Sequence, residues 1–199
     1  MTSDQSLPVI SFLASHGGSS ARAIIAAMAT GDMAAVPGIL ITNNADSGIH
    51  AWCQEQGFPC AHVSAKTHDD EDGAIVAALE QANTDIVVCS GYMKKIGPAT
   101  LARYSGNILN IHPSLLPRHG GLGLYGDRVH AAVLAARDVV SGATVHVVTA
   151  EYDDGPVIGQ SRVDVAPEET VASLRAKVQG TEPGLYIECL NRFLAQSGF

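Results

Sequence analysis

The sequence predicts an α/β fold on a mostly parallel central sheet, with an antiparallel strand near the C-terminal part. Three observations predict it. Short apolar, β-branched runs alternate with stretches of helical periodicity from the first run onward, which is the pattern of parallel βαβ units. The last two runs are joined by only a short loop, which suits antiparallel neighbours. The chain has 199 residues, enough for one compact domain with a sizeable core and short for two, so 1–199 is expected to be a single domain.

The elements follow in order. Residues 9–14 are expected as a strand and 19–29 as a helix opened by serine. A strand at 36–41 and a helix at 47–56 come next, then a short strand at 60–63 and a helix at 73–82. Residues 85–89 are strongly β-branched and read as a central strand. A short helix at 99–104 leads to a strand at 107–111, and a helix at 127–136 leads to strands at 142–148 and 156–165. Residues 170–194 close the chain as a helical region, which Gly180 and Pro183 are expected to kink or interrupt. The acidic stretch 66–72 reads as a solvated connection.

Composition narrows the function. Apolar residues make up 46% and charged residues 16%, which is ordinary for a packed domain and excludes a disordered chain. Twelve Lys and Arg stand against 20 Asp and Glu, a net charge of −8 and the reverse of a general nucleic-acid binder. An anionic ligand must therefore be held locally, by backbone amides or a few placed cations. Cys53, Cys60, Cys89 and Cys189 form no CxxC pair, so no zinc knuckle or thioredoxin-like site is indicated. A reduced, cytoplasmic protein is expected, with Cys89 a buried thiol. Residues 1–7 lack the cationic and apolar regions of a leader, and no run reaches the roughly 18 apolar residues of a membrane span.

Two stretches carry chemistry. Between the first strand and helix lie Ser15, His16, Gly17, Gly18, Ser19 and Ser20. Adjacent glycines allow a tight turn and close approach of a ligand, and the helix start offers free amides and partial positive charge. A phosphate is the natural guest; a plain strand-to-helix connection is the competing reading. The spacing is not G-x-G-x-x-G, and Thr42, Asn43 and Asn44 supply no acidic residue for a ribose, so a dinucleotide site is disfavoured.

The second stretch is Asn110-Ile111-His112-Pro113 at a strand's carboxyl end. Residues i and i+2 share a strand face, so Asn110 and His112 project side by side where open α/β sheets bind ligands. Asp153 and Asp154 sit in an Asp-Gly-Pro turn able to aim a carboxylate at them. The bland alternative is a turn cap, a satisfied core histidine and a turn residue. His112, His146 and Asp153 as a metal triad is a poor reading, because the spacing has no metal specificity. Ser114 lies in no G-x-S-x-G elbow, which argues against a serine hydrolase.

With these residues in view, the chain resembles the folate-dependent formyltransferases over nearly its whole length, from Val9 to Leu194. The strongest motif is Leu109-Asn110-Ile111-His112-Pro113-Ser114-Leu115-Leu116-Pro117; the second is Gly142-Ala143-Thr144-Val145-His146, followed by Asp153, Gly155 and Pro156. The resemblance implies a three-layer, Rossmann-like formyltransferase fold and one formyltransferase catalytic domain. It implies 10-formyltetrahydrofolate as formyl donor co-substrate, no metal, and a phosphorylated amine as acceptor. Within the family it points to the purine-synthesis branch that formylates glycinamide ribonucleotide. The family triad falls on Asn110, His112 and Asp153, with Asn110 and a protonated His112 as donors to the developing oxyanion and Asp153 as charge partner and proton carrier.

Further correspondences are implied. The phosphate loop falls on Gly17, Gly18, Ser19 and Ser20. The folate segment falls on Met93, Lys94, Lys95 and Ile96, where the two lysines are either folate contacts or a solvated pair. Gln179 and Glu182 match the stretch that meets the nucleotide substrate. Ser20 departs from the family's usual Asn, and residues 120–126 are longer and richer in glycine than the common loop. Both departures bear on the acceptor, so a sugar nucleotide or hydroxyornithine stands as the alternative acceptor. A non-catalytic phosphate-binding module is a further alternative. Small-molecule substrates are expected, with neither nucleic acid nor membrane as partner. A monomer or a homodimer fits, the last helix having an apolar face.

Overall fold

The computed structural model describes residues 6–197. Most of the polar N-terminal stretch, read above as lacking a leader, lies outside the described residues. Seven strands and six helices follow one another: β1 Val9–Ala14, α1 Ser19–Thr30, β2 Val36–Thr42, α2 Gly48–Gln56, β3 Cys60–His62, α3 Glu71–Gln81, β4 Ile86–Ser90, α4 Pro98–Arg103, β5 Ile108–His112, α5 Asp127–Ala135, β6 Val140–Val147, β7 Val157–Asp164 and α6 Val171–Ser197. The strands form one sheet in the order β3-β2-β1-β4-β5-β6-β7. Only β6 runs against its neighbours, antiparallel to both β5 and β7, and it is the antiparallel strand expected near the C-terminal part.

Strand periodicity explains the three layers. Ile10, Phe12 and Ala14 of β1 point to one face and join Ile24 of α1, Ile49 of α2 and Leu190 of α6 in one core cluster. Leu13 points to the other face and joins Leu79 of α3 and Tyr104 beyond α4. Both faces of β1 are buried, as a central parallel strand requires.

Two expectations are corrected. Helix α6 is continuous through Gly180 and Pro183. Leu174 and Val178 before these residues, and Leu185 and Tyr186 after them, bury in the same cluster, so packing on one sheet outweighs the lost Pro183 hydrogen bond. The same burial seats the apolar face of α6 on the sheet. Residues 66–72 are not only a solvated connection. Glu71 and Asp72 open α3, and the Asp72 carboxylate caps α4 by accepting from the N–H groups of Ala99 (2.7 Å) and Thr100 (3.1 Å). The α4 N-cap is Gly97, which has no side chain to do this.

One side chain ties helix to sheet beneath the site. The β4–β5 ladder ends at the Cys89–Asn110 pair. There the buried Tyr186 hydroxyl reaches two carbonyls, Leu109 O at 2.7 Å and Cys89 O at 3.2 Å.

Candidate active site

Successive strands diverge from the β1–β4 junction, with β2 and β3 to one side and β5 to β7 to the other. Ligands bind at such a switch point, beyond the carboxyl ends of the strands. A cleft of about 560 Å³ opens there and runs past β5. Its wall includes Asn110 and His112 from β5, His146 from β6 and Asp153 from the β6–β7 loop.

Asn110 lies opposite His146 in the antiparallel β5–β6 ladder. His146 Nδ1 is 3.0 Å from Val147 O, and a carbonyl only accepts, so Nδ1 carries a proton. Nε2 then presents its lone pair, 3.1 Å from Asn110 Nδ2, and accepts one amide hydrogen. Burial is the main cause that holds the His146 pKa below its usual value, which favours this neutral tautomer; the Val147 bond and Asp153 oppose it. The Asn110 amide is thus fixed in orientation with its second N–H left over.

His112 is 4% exposed. Its Nε2–H donates to His119 O at 2.9 Å, and its Nδ1 is 3.4 Å from Asp153 Oδ2. The second distance is longer than that of a tight hydrogen bond. Asp153 has φ +56° and accepts from Gly121 N–H at 2.8 Å; its other oxygen is 3.6 Å from His146 Nε2. The carboxylate therefore faces both histidines. Asp154, the alternative acid of the same turn, is exposed and is not part of the wall.

The turn after β5 is built on Thr144. Its hydroxyl donates to Ser114 O (2.6 Å) and accepts from Leu116 N–H (3.0 Å) and Gln160 Nε2–H (2.9 Å). Ser114 Oγ donates to Arg118 O at 2.7 Å, so this serine shapes the turn. Glycine is required at 142, where a Cβ would come within 1.8 Å of Ser161 O.

The remaining expected site residues divide. Met93, Lys94, Lys95 and Ile96 line the cleft, as do Gln179 and Glu182. Lys94 pairs with Glu71, and the Lys95 ammonium lies 5.3 Å from the Tyr152 ring centre, so both lysines already have partners. Burial pushes the Glu182 carboxyl up to about 7. Gly17, Gly18, Ser19 and Ser20 are not among the lining residues; His16 is the part of that loop that reaches the cleft. Gly18 begins α1 at φ +58°, with the Ile49 side chain 2.7 Å from where a Cβ would stand. Its two demands are conformational and steric. Among the described residues, no group of three or more His, Cys, Asp and Glu side chains is arranged to hold a metal ion.

Two cleft residues escaped the sequence reading as ligand contacts. His130 of α5 is buried with its Nδ1 unpartnered among the described residues, and Arg175 of α6 is paired with Asp127 at 2.8 Å. Only the helical spacing of Arg175 and Gln179, one turn apart, hinted that they share a face.

The comparisons agree with this geometry. The formyl transferase family model matches residues 9–190. The phosphoribosylglycinamide formyltransferase of Escherichia coli is 33% identical over 177 residues, which is 87% of this chain and 81% of that protein. The chloroplastic phosphoribosylglycinamide formyltransferase of Arabidopsis thaliana is 36% identical over 178 residues; the match takes in 87% of this chain and spans 61% of that relative's length. The crystal structure of glycinamide ribonucleotide transformylase 1 from Symbiobacterium toebii superposes with a TM-score of 0.90 at 29% identity, covering 98% of this chain and 92% of that one. A match across most of the chain, on a fold whose β5 and β6 bring Asn110, His112 and Asp153 to one cleft, shows that the chain belongs to the formyl transferase family.

Proposed function

We propose that the chain transfers the formyl group of 10-formyltetrahydrofolate to the amine of glycinamide ribonucleotide. The observation that carries this is the convergence of Asn110 and His112 from β5 and Asp153 from the β6–β7 loop on one cleft wall. The acceptor is carried over from the names of relatives that are phosphoribosylglycinamide formyltransferases.

The cleft suits a folate. Its volume is in the usual range for a cofactor-sized ligand, and Ile96, Ile111 and Val148 give it an apolar floor beside the backbone of 91–96. When bound, the folate supplies the formyl carbon that the amine attacks. The residues then have separable tasks. Asn110 offers its free amide N–H to the negative charge that develops on the formyl oxygen, and His146 keeps that N–H aimed. His112 offers Nδ1–H to the same charge, which its loose 3.4 Å contact with Asp153 permits. Asp153, whose carboxylate stands 3.4 Å from His112 Nδ1, carries the amine proton, directly or through water, to the folate nitrogen as its bond to the formyl carbon breaks. Glu182, protonated near neutrality through burial, and Gln179 lie on α6 at the acceptor side. The amides at the start of α1 serve the acceptor phosphate.

Asn110→Ala and His112→Ala are each expected to lower formyl transfer about 10²–10³-fold, as loss of an oxyanion donor does, and Asp153→Ala about 10²–10⁴-fold, as loss of a proton carrier does. Turnover by His112→Ala close to that of the unmodified chain sinks the assignment. Acceptor profiling with the purified chain decides the rest. Product from a sugar-nucleotide amine or hydroxyornithine, and none from glycinamide ribonucleotide, replaces the acceptor and keeps the chemistry.

A further inference from the structure

We propose that Asp138, which lies outside the cleft, is a positioning residue for His112 and acts through the backbone carbonyl of His119. The proposal rests on the reading that His112 serves formyl transfer.

Among the described residues, the ring of His112 makes one close hydrogen bond, from Nε2–H to His119 O at 2.9 Å, and its other nitrogen has only the 3.4 Å approach to Asp153. That carbonyl therefore sets the rotation of the ring and the direction of Nδ1. The carbonyl in turn depends on the backbone at His119, where φ is +56°. A residue with a side chain stays in this left-handed region only where its surroundings hold it.

Asp138 supplies the hold. It sits between α5 and β6 and does not line the cleft. His119 Nε2–H donates to Asp138 Oδ2 at 2.6 Å, and Arg118 Nη2 lies 2.7 Å from Oδ1. Both carboxylate oxygens thus grip consecutive residues of the turn. The two arms differ in strength. The Arg118 side chain is 66% exposed, and such an arm adds little. The side chains of His119 and Asp138 are 15% and 13% exposed, so their charge-assisted bond is well shielded from water. Nothing else in the proposed chemistry uses this pair. Its effect on the cleft is to keep the His119 carbonyl aimed at His112.

Geometry at a reacting centre is sensitive, with a shift of about 1 Å able to cost about 10²-fold in rate. Asp138→Ala is expected to lower kcat about ten- to a hundred-fold and leave KM within about twofold. Asp138→Asn keeps an oxygen acceptor for His119 and should lose only about threefold. Combining Asp138→Ala with His112→Ala should add no further loss, because Asp138 acts through that ring. A readout independent of any acceptor is the nitrogen-bound ring proton of His112 in the NMR spectrum. It should exchange slowly in the unmodified chain and faster in Asp138→Asn, a variant that also carries the test if Asp138→Ala does not fold.

Normal kcat and an unchanged ring proton in the Asp138 variants overturn the proposal, as do losses that multiply in the double variant. The two levels separate cleanly. If His112→Ala retains turnover, the role of His112 itself falls. If His112→Ala is inactive while both Asp138 variants turn over normally, only the positioning role falls.

Discussion

The two sides of the cleft are held in opposite ways. The wall formed by β5 and β6 is buried and cross-linked. Thr144 Oγ1 joins three partners, and the amide of Asn110 is pinned by a histidine whose own tautomer is pinned by a carbonyl. The segment 120–126 opposite has glycines at positive φ at 121, 123 and 126, and its Leu122 is 83% exposed. Its link to the wall is the Gly121 N–H bond to Asp153. The difference teaches where each property resides. Groups that act on developing charge need a fixed geometry, and the wall provides it. A segment with few buried contacts can adapt to the partner that arrives.

The comparison can be broken most forcefully at its stiff end. Thr144→Val keeps the shape but strips Ser114 O and Leu116 N–H of a buried partner. Each unsatisfied group costs about 1–3 kcal/mol, so urea denaturation should show a loss of about 3–5 kcal/mol. A loss below about 0.5 kcal/mol means that the wall is no more cross-linked than the loop.

Glu182 tests burial on the α6 side. Its pKa rises from 4.5 to about 7 on folding, so the folded state holds its proton more tightly than the unfolded state. Between pH 4.5 and 7 the folded chain binds the extra proton, and stability falls as pH rises through that window. The shift corresponds to ~3 kcal/mol at most, fully expressed above pH 7. Glu182→Gln should flatten this part of the stability–pH curve; an unchanged slope sinks the idea.

The smallest effect is expected in the loop. Leu122→Ala should change stability by no more than about 0.5 kcal/mol, since the side chain is exposed. Steady-state kinetics should show the acceptor KM moving several-fold with kcat held. A fall in kcat without a change in KM places the loop with the chemistry and erases the contrast.

Much of this was legible in the sequence because it depends on local period and spacing. Strand alternation and the i, i+2 rule put Asn110 and His112 together before any coordinates. The short β6–β7 connection foretold antiparallel pairing. Other features depend on register, which spacing does not reveal. His146 read as one of several scattered histidines, and only the β5–β6 ladder shows it opposite Asn110. Asp72 looked like loop charge because the helix that it caps begins 26 residues later in the sequence. Lys94 and Lys95 looked available because their partners, Glu71 and Tyr152, come from other elements. The continuity of α6 through Pro183 defeated propensity because the sheet beneath holds both halves.

Helix α6 has a consequence of a mechanical kind. It carries Gln179 and Glu182 on the cleft and, one turn further on, Tyr186 in the gap where β4 and β5 part. The same rod therefore lines the cleft and is tied to the strand that bears Asn110. One rigid element thus spans the cleft lining and the strand that bears Asn110, so a substitution that shifts its axis shifts both.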